Sequence, residues 1–212
     1  MNEIIVPGQI NSVIFDFDGT LCFDRYFSPL GSDALDTIHS LLFGENSAQW
    51  ADPWMNGDLT SRDIASYLSK HLPESEGEIL SALRNGCARM SFRPVVYHFA
   101  LHQRGRRKTA LITANMDILT EVVVPAHGLD KVFDLVLNTA DHHTLDKRVL
   151  WRKALNIFGP EHSFTSTLLV EDSLKMVELF ESLGGYAYRY EGDEALQAWL
   201  EETGFAEEMQ DH

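Results

Sequence analysis

Two carboxylates separated by one residue, Asp16 and Asp18, lie in the run Val13-Ile14-Phe15-Asp16-Phe17-Asp18-Gly19-Thr20. A carboxylate can act as a nucleophile toward phosphorus, because the aspartyl-phosphate it forms is a workable covalent intermediate. A second carboxyl beside it is a candidate for general acid or base work. Strict strand pleating sends the side chains of Asp16 and Asp18 to one side. Gly19 accepts backbone angles closed to other residues, so the chain can turn away at once. Other chemistry-bearing residues follow at the ends of further apolar runs. A hydroxyl closes Leu111-Ile112-Thr113-Ala114-Asn115, and paired carboxylates close Leu169-Val170-Glu171-Asp172-Ser173. A hydroxyl followed by a helix N-terminus can donate to a phosphate oxygen. Carboxylates gathered at one edge make a hard, oxygen-rich site suited to Mg²⁺.

These groups need a sheet to hold them. Val13 to Phe15 reads as a buried strand, and so do 108–113, 133–138, 167–171 and 185–190. Helical patterns fill the intervals at 94–104, 116–127, 147–158 and 173–183, with Pro94 suited to a first turn and Gly184 to a helix end. Such alternation predicts an α/β fold, a doubly wound, Rossmann-like parallel sheet of about five strands. Ligands bind such sheets at the carboxyl ends of the strands. The stretch from Phe23 to Phe92 breaks the rhythm, with helix-like pieces at 33–43, 60–71 and 74–90 and Thr60 as a candidate cap. The expected organisation is a core of residues 1–22 and 93–212 with a small helical domain, 23–92, inserted after the first strand.

Asp16-Phe17-Asp18-Gly19-Thr20 resembles the first motif of the haloacid dehalogenase (HAD) superfamily, and the later strand ends resemble its other three motifs in order. The resemblance spans Ser12 to Tyr190. It implies a phosphatase in which Asp16 attacks phosphorus, Asp18 serves as acid and base, and Thr113 holds phosphate. It also implies Mg²⁺ bound by Asp16, the backbone carbonyl of Asp18, and Asp172. Glu171 would reach the metal through water or orient the motif's lysine. Lys147 fits that third-motif position, although the Pro that often follows it in the family is absent, and Arg148 and Lys153 remain alternatives. Some relatives carry another Asp four residues after the first, where this chain has Met176. The dehalogenase branch lacks the second Asp of the first motif, so Asp18 points to phosphoryl transfer. The inserted helices resemble the family's cap. Within the family, a sugar-phosphate mutase or phosphotransferase is the rival enzyme, and a catalytically silent binding protein is the rival outside enzymes.

Composition narrows the partners. Seventeen Lys and Arg against 32 Asp and Glu give a net charge of −15, which disfavours nucleic acid and anionic membranes. A small phosphorylated metabolite is still accommodated, since a few cations in a cleft reverse the local field. Cys22 and Cys87 are too few for a disulfide framework, which suits a reducing cytoplasm. The stretch Met1 to Ile10 has no basic start and no long apolar run, so no signal peptide is expected, and no segment is long and apolar enough for a membrane span. Cys22 is expected to be a buried filler, Asn115 a turn or cap residue, and His142-His143 a solvated loop. Tyr26, Phe27, Trp50 and Trp54 are candidates to line a substrate pocket, though aromatics in a small helical domain are more often its core; Arg25, Arg62 and Arg84 are candidates to read the leaving group, though surface positions are the commoner role. The acidic tail Glu201 to His212 is expected to fray. Oligomeric state is not legible.

Overall fold

A computed structural model of the chain describes residues 6–209. Five strands, Ser12–Phe15 (β1), Lys108–Thr113 (β2), Leu135–Asn138 (β3), Thr167–Glu171 (β4) and Tyr186–Arg189 (β5), form one all-parallel sheet in the order β3-β2-β1-β4-β5. Parallel strands covered on both faces carry continuous apolar runs, and β1 is buried along its whole length. Its alternating residues feed two separate cores. Val13 and Phe15, with Leu111, Leu168 and Val170, face Phe99, Leu196, Leu200 and Phe205. Ile14, with Ala110, Ile112 and Leu169, faces Leu150, Trp151, Ala154 and Phe180. The doubly wound architecture follows from that period of two. The chain moves from β1 outward to β2 and β3, then returns to the other side of β1 as β4. Asp16 and Glu171 therefore stand at the switch in strand order, where a crevice opens.

Between β1 and β2 lie Ser32–Leu42 (α1), Ala51–Met55 (α2), Ser61–Leu68 (α3), Glu76–Cys87 (α4) and Pro94–Gln103 (α5). Thr60 caps α3 in a reciprocal box with Asp63, and Ser75 caps α4 in the same way with Glu78. No strand occurs from 23 to 92 among the described residues, as the sequence suggests. The apolar cluster under β1 continues without a break into Trp54, Ile64, Leu68, Ile79 and Leu83 of this insertion. Its two linkers meet side by side. Arg93 N–H donates to the Leu21 carbonyl at 2.8 Å, and Ser91 N–H to the Asp24 carboxylate at 2.7 Å.

Beyond β2 come Val124–His127 (α6), Leu129–Val132 (α7), Thr139–His142 (α8), Lys147–Phe158 (α9), Leu174–Ser182 (α10), Asp193–Thr203 (α11) and Phe205–Glu208 (α12). The helix expected over 116–127 is interrupted: Leu119–Val123 forms a wider π-helical turn before α6, which Gly128 ends at φ +62°. The tail also departs from expectation. Residues 201–203 close α11 and 205–208 form α12, Phe205 is buried, and Arg107 forks onto Glu208 at 2.6 and 2.9 Å. Residues 1–5, read for a leader, and 210–212, read as part of the fraying tail, lie outside the described residues. Among those described, no helix is long and apolar enough to cross a membrane.

Candidate active site

Asp16 is the first residue past β1, and its N–H still pairs with the Val170 carbonyl at 3.0 Å, so the sheet fixes its backbone. The residue is only 5% exposed, and its Oδ1 accepts a 2.7 Å bond from Lys147 Nζ. Lys147 opens α9, whose N-cap Asp146 accepts from the Arg148 N–H. The same Nζ donates to Glu171 Oε2 at 2.8 Å, so the ammonium is shared by two buried carboxylates. Burial alone would lower the Lys147 pKa; Asp16 and Glu171 outweigh it and hold the group above the usual lysine value. Burial and the Asp16 charge push the Glu171 carboxyl up, opposed by the adjacent ammonium. Glu171 and Lys147 are thus joined by a close polar contact at 2.8 Å. Arg148 turns back onto Asp146 and Lys153 reaches His142, so of the three cations considered Lys147 alone reaches Asp16.

Asp172 completes an acidic group. Carboxylate oxygens of Asp16, Glu171 and Asp172 lie within 4.8 Å of one another. Gly19 makes room for this: its φ is +78°, and a Cβ there would stand 2.3 Å from Asp172 Oδ2. Three carboxylates against one ammonium leave an excess of negative charge on hard oxygen donors, a set that fits Mg²⁺. The Asp18 carboxylate is not in this group. Instead it accepts from Tyr26 Oη, 2.9 Å from each of its oxygens, and from Asn115 Nδ2 at 2.7 Å. Asn115 Nδ2 also donates to Tyr26 Oη at 2.6 Å, which closes a triangle. Burial dominates in raising the Asp18 pKa to about 7; the Tyr26 bond lowers it, and the nearby Asp16 charge raises it.

Thr113 is buried at the end of β2, next to Asn138 in the strand register. The loop after it is tied to the end of β3: Asn115 N–H donates to Asn138 Oδ1 and Thr139 Oγ1, both at 3.1 Å. Asp117 in the same loop accepts from Trp54 Nε1 and from the Ser61 N–H, each at 2.8 Å. Thr139 Oγ1 donates to the Met55 carbonyl at 2.7 Å. The inserted helices are thus seated on the ends of β2 and β3.

No family model and no curated protein matches the sequence. Solved structures do match in shape. A HAD family enzyme from Bacteroides thetaiotaomicron, in complex with magnesium and inorganic phosphate, superimposes with a TM-score of 0.64 at 12% identity, over 86% of this chain and 95% of that one. A predicted HAD-like family hydrolase from Porphyromonas gingivalis gives 0.64 at 15%, over 91% and 98%. L-2-haloacid dehalogenase from Xanthobacter autotrophicus gives 0.60 at 17%, over 89% and 81%. The fold is that of the HAD superfamily.

Within this HAD fold five of the six sequence-derived site residues fall into two groups, and Thr113 stands apart at the end of β2. Asp16, Lys147, Glu171 and Asp172 form one connected charge cluster, while Asp18 belongs to a separate hydrogen-bonded unit beside it. Tyr26 and Asn115 are the residues that the sequence reading underrated. Asn115 stands two positions past Thr113 at a strand end, a signal that was available; no spacing rule links Tyr26 to Asp18. The remaining aromatics behave as core: Trp54 is fully buried and Trp50 stacks on Tyr67 at 3.7 Å. Arg25 and Arg84 are exposed and paired with Asp36 and Glu121, and Arg62 is exposed. His142 ends up against Lys153, and His143 sits in the left-handed region at φ 48°. Cys22 is buried, and burial pushes its thiol up to about 12, which leaves it inert as a nucleophile at neutral pH. A cleft of about 540 Å³ opens from Gly19 and Asp172 between Phe23, Arg93, Arg189 and Tyr190.

Proposed function

We propose that the protein is a Mg²⁺-dependent phosphatase of the HAD type, acting on a small-molecule phosphate monoester through an Asp16 phosphoenzyme. The observation that carries this reading is the second carboxyl: Asp18 is held beside the nucleophile by Tyr26 and Asn115, outside the metal cluster and free for proton work. Dehalogenase chemistry has no use for that group, because a halide departs without a proton. Phosphate monoesters are among the slowest bonds to hydrolyse, and an alkoxide leaving group needs the proton.

Asp16, Glu171 and Asp172 would hold the Mg²⁺, with the Asp18 backbone carbonyl a further ligand implied by the family. When bound, the ion neutralises charge on the phosphoryl oxygens. Lys147 holds Asp16 in place and offsets its charge against the incoming phosphate. The free oxygen of Asp16 attacks phosphorus; the ester P–O bond breaks, its electron pair leaves with the oxygen, and Asp18 supplies the proton. Water then attacks the phosphoenzyme, gives its proton back to Asp18, and releases phosphate and Asp16. The Thr113 hydroxyl donates to a phosphoryl oxygen in both halves.

The helical insertion acts as a cap over this edge, and the linkers at 21–28 and 89–94 are its hinges. The leaving group extends into the cleft beside Asp172. Two buried free thiols fit a reducing cytoplasm. Phosphate release from a broad panel of phosphate monoesters with Mg²⁺, by the native chain and by Asp16→Asn, tests the reading. Metal-dependent release that disappears in Asp16→Asn is the expected result. Interconversion of sugar phosphates with little free phosphate would favour a mutase, and chloride release from haloacids a dehalogenase.

A further inference from the structure

Asp18 is oriented from two sides by groups of different origin. Asn115 belongs to the sheet: it follows β2, its own Oδ1 accepts from the Met116 N–H at 2.8 Å, and its N–H is tied to the end of β3. Both hydrogens of its amide nitrogen are spent, one on Asp18 and one on Tyr26. Tyr26 belongs to the insertion. Its carbonyl lies where a Cβ on Gly86 of α4 would be, at 2.0 Å, and Pro29 closes the same contact at 3.3 Å. A side chain at 86 would push the Tyr26 segment away, so the bare Gly86 backbone is what lets α4 carry Tyr26 against it.

From this juxtaposition we infer that Tyr26 is a positioning residue for Asp18, and that seating of the helical insertion is thereby a condition for proton transfer to the ester oxygen. The inference rests on the phosphatase reading and adds to it a link between the insertion and the acid-base step. With the insertion seated, the phenol fixes the carboxyl from one side and Asn115 from the other. If the Tyr26 segment withdraws with α4, Asp18 keeps only the Asn115 bond and can rotate about its side-chain torsions. Asp16, Lys147, Glu171 and Asp172 touch none of this, since their mutual bonds lie wholly within the core. The nucleophile and the cation site are therefore built whether or not the insertion is seated; the acid is not.

A purely structural role for the Tyr26 hydroxyl makes a different prediction, and the leaving group separates the two. An alkyl phosphate needs its departing oxygen protonated, whereas 4-nitrophenolate leaves unaided. Tyr26→Phe removes the hydroxyl and keeps the ring. The experiment is kcat/KM with Mg²⁺ across a series from 4-nitrophenyl phosphate to alkyl phosphates, since this parameter covers the steps through ester cleavage. General acid help is worth ~10² to 10⁴ in rate, so a displaced acid should make alkyl esters lose at least about tenfold more than the nitrophenyl ester. Gly86→Ala, which moves Tyr26 without removing its hydroxyl, should show the same slope to a smaller degree. An equal loss across the series, or none, in a folded Tyr26→Phe protein overturns the inference while leaving the phosphatase intact. A native chain that releases phosphate from no ester overturns the phosphatase reading itself.

Discussion

The ammonium of Lys147 is the keystone of the charge cluster, and its removal has a calculable consequence. Lys147→Met would leave Asp16 and Glu171 buried and facing each other without a cation, a defect that costs about 3–5 kcal/mol in comparable buried pairs. Urea unfolding in EDTA should show that loss, and Glu171→Gln in the same chain should restore part of it. No change on removing the lysine would mean the pair is not ionised. The excess acid at the site predicts the converse response to Mg²⁺. At a hundred times its Kd the ion should add about 2.7 kcal/mol to stability. Asp172→Asn should largely abolish this, and an equal thermal shift in both proteins would remove Asp172 from the ligand set. At this scale the sequence was most legible where a residue ends a strand. Asp16, Thr113 and Glu171 could be placed because strand ends are recognisable. The choice among Lys147, Arg148 and Lys153 could not, because it depends on which way the first turn of α9 faces. The pairing of Tyr26 with Asp18 was not legible for a deeper reason: it arises from tertiary approach between a linker and a strand end, which leaves no period in the sequence.

Helix starts in the insertion rest on two acid-sensitive devices. The Asp63 and Glu78 carboxyls each accept from a hydroxyl and an N–H of their N-cap residue, which lowers both pKa values below their ordinary 3.8 and 4.5. A depressed carboxyl contributes stability that is present above its unfolded pKa and is lost as pH falls through its folded one. The double variant Asp63→Ala, Glu78→Ala should therefore melt below the native chain at neutral pH, and the gap should close as pH drops below these ordinary values. A gap that stays constant into acid would assign the loss to something other than the caps. The Thr60 start was readable from sequence because the box pairs residues three apart. The π-helical turn at Leu119–Val123 was not: Met116 to His127 carries a good apolar helical pattern, and the wider turn adds no residue type of its own. The tail shows the opposite failure, where the Glu residues from 201 onward outweighed the buried ring of Phe205. Phe205→Ala, which removes a fully buried ring packed edge-on to Phe99 at 5.5 Å, should cost about 3–5 kcal/mol in denaturant unfolding.

For the molecule as a whole, the insertion is docked through the apolar cluster it shares with the sheet and by polar anchors, among which Asp117 reaches Trp54 and Ser61 together. Asp117→Ala should leave the sheet intact and speed limited proteolysis at the linkers 21–28 and 89–94. Unchanged cutting rates would show that these anchors do not hold the insertion down. The five-strand order was legible in outline because each strand is a short apolar run between helices, whereas the seating of the insertion was not, since it depends on side chains that meet only in the folded chain. The position of β1 carries one more consequence. It is the first strand to be made, yet it takes the middle of the sheet, with Ser12 opposite both Lys108 and Thr167. A strand with such distant partners forms late and slowly. During synthesis Asp16 is thus made long before Lys147, Glu171 and Asp172, the groups it meets in the folded chain. A chain halted ahead of Glu171 would lack two of the three carboxylates of the acidic group, so on the phosphatase reading it could not assemble the cation site.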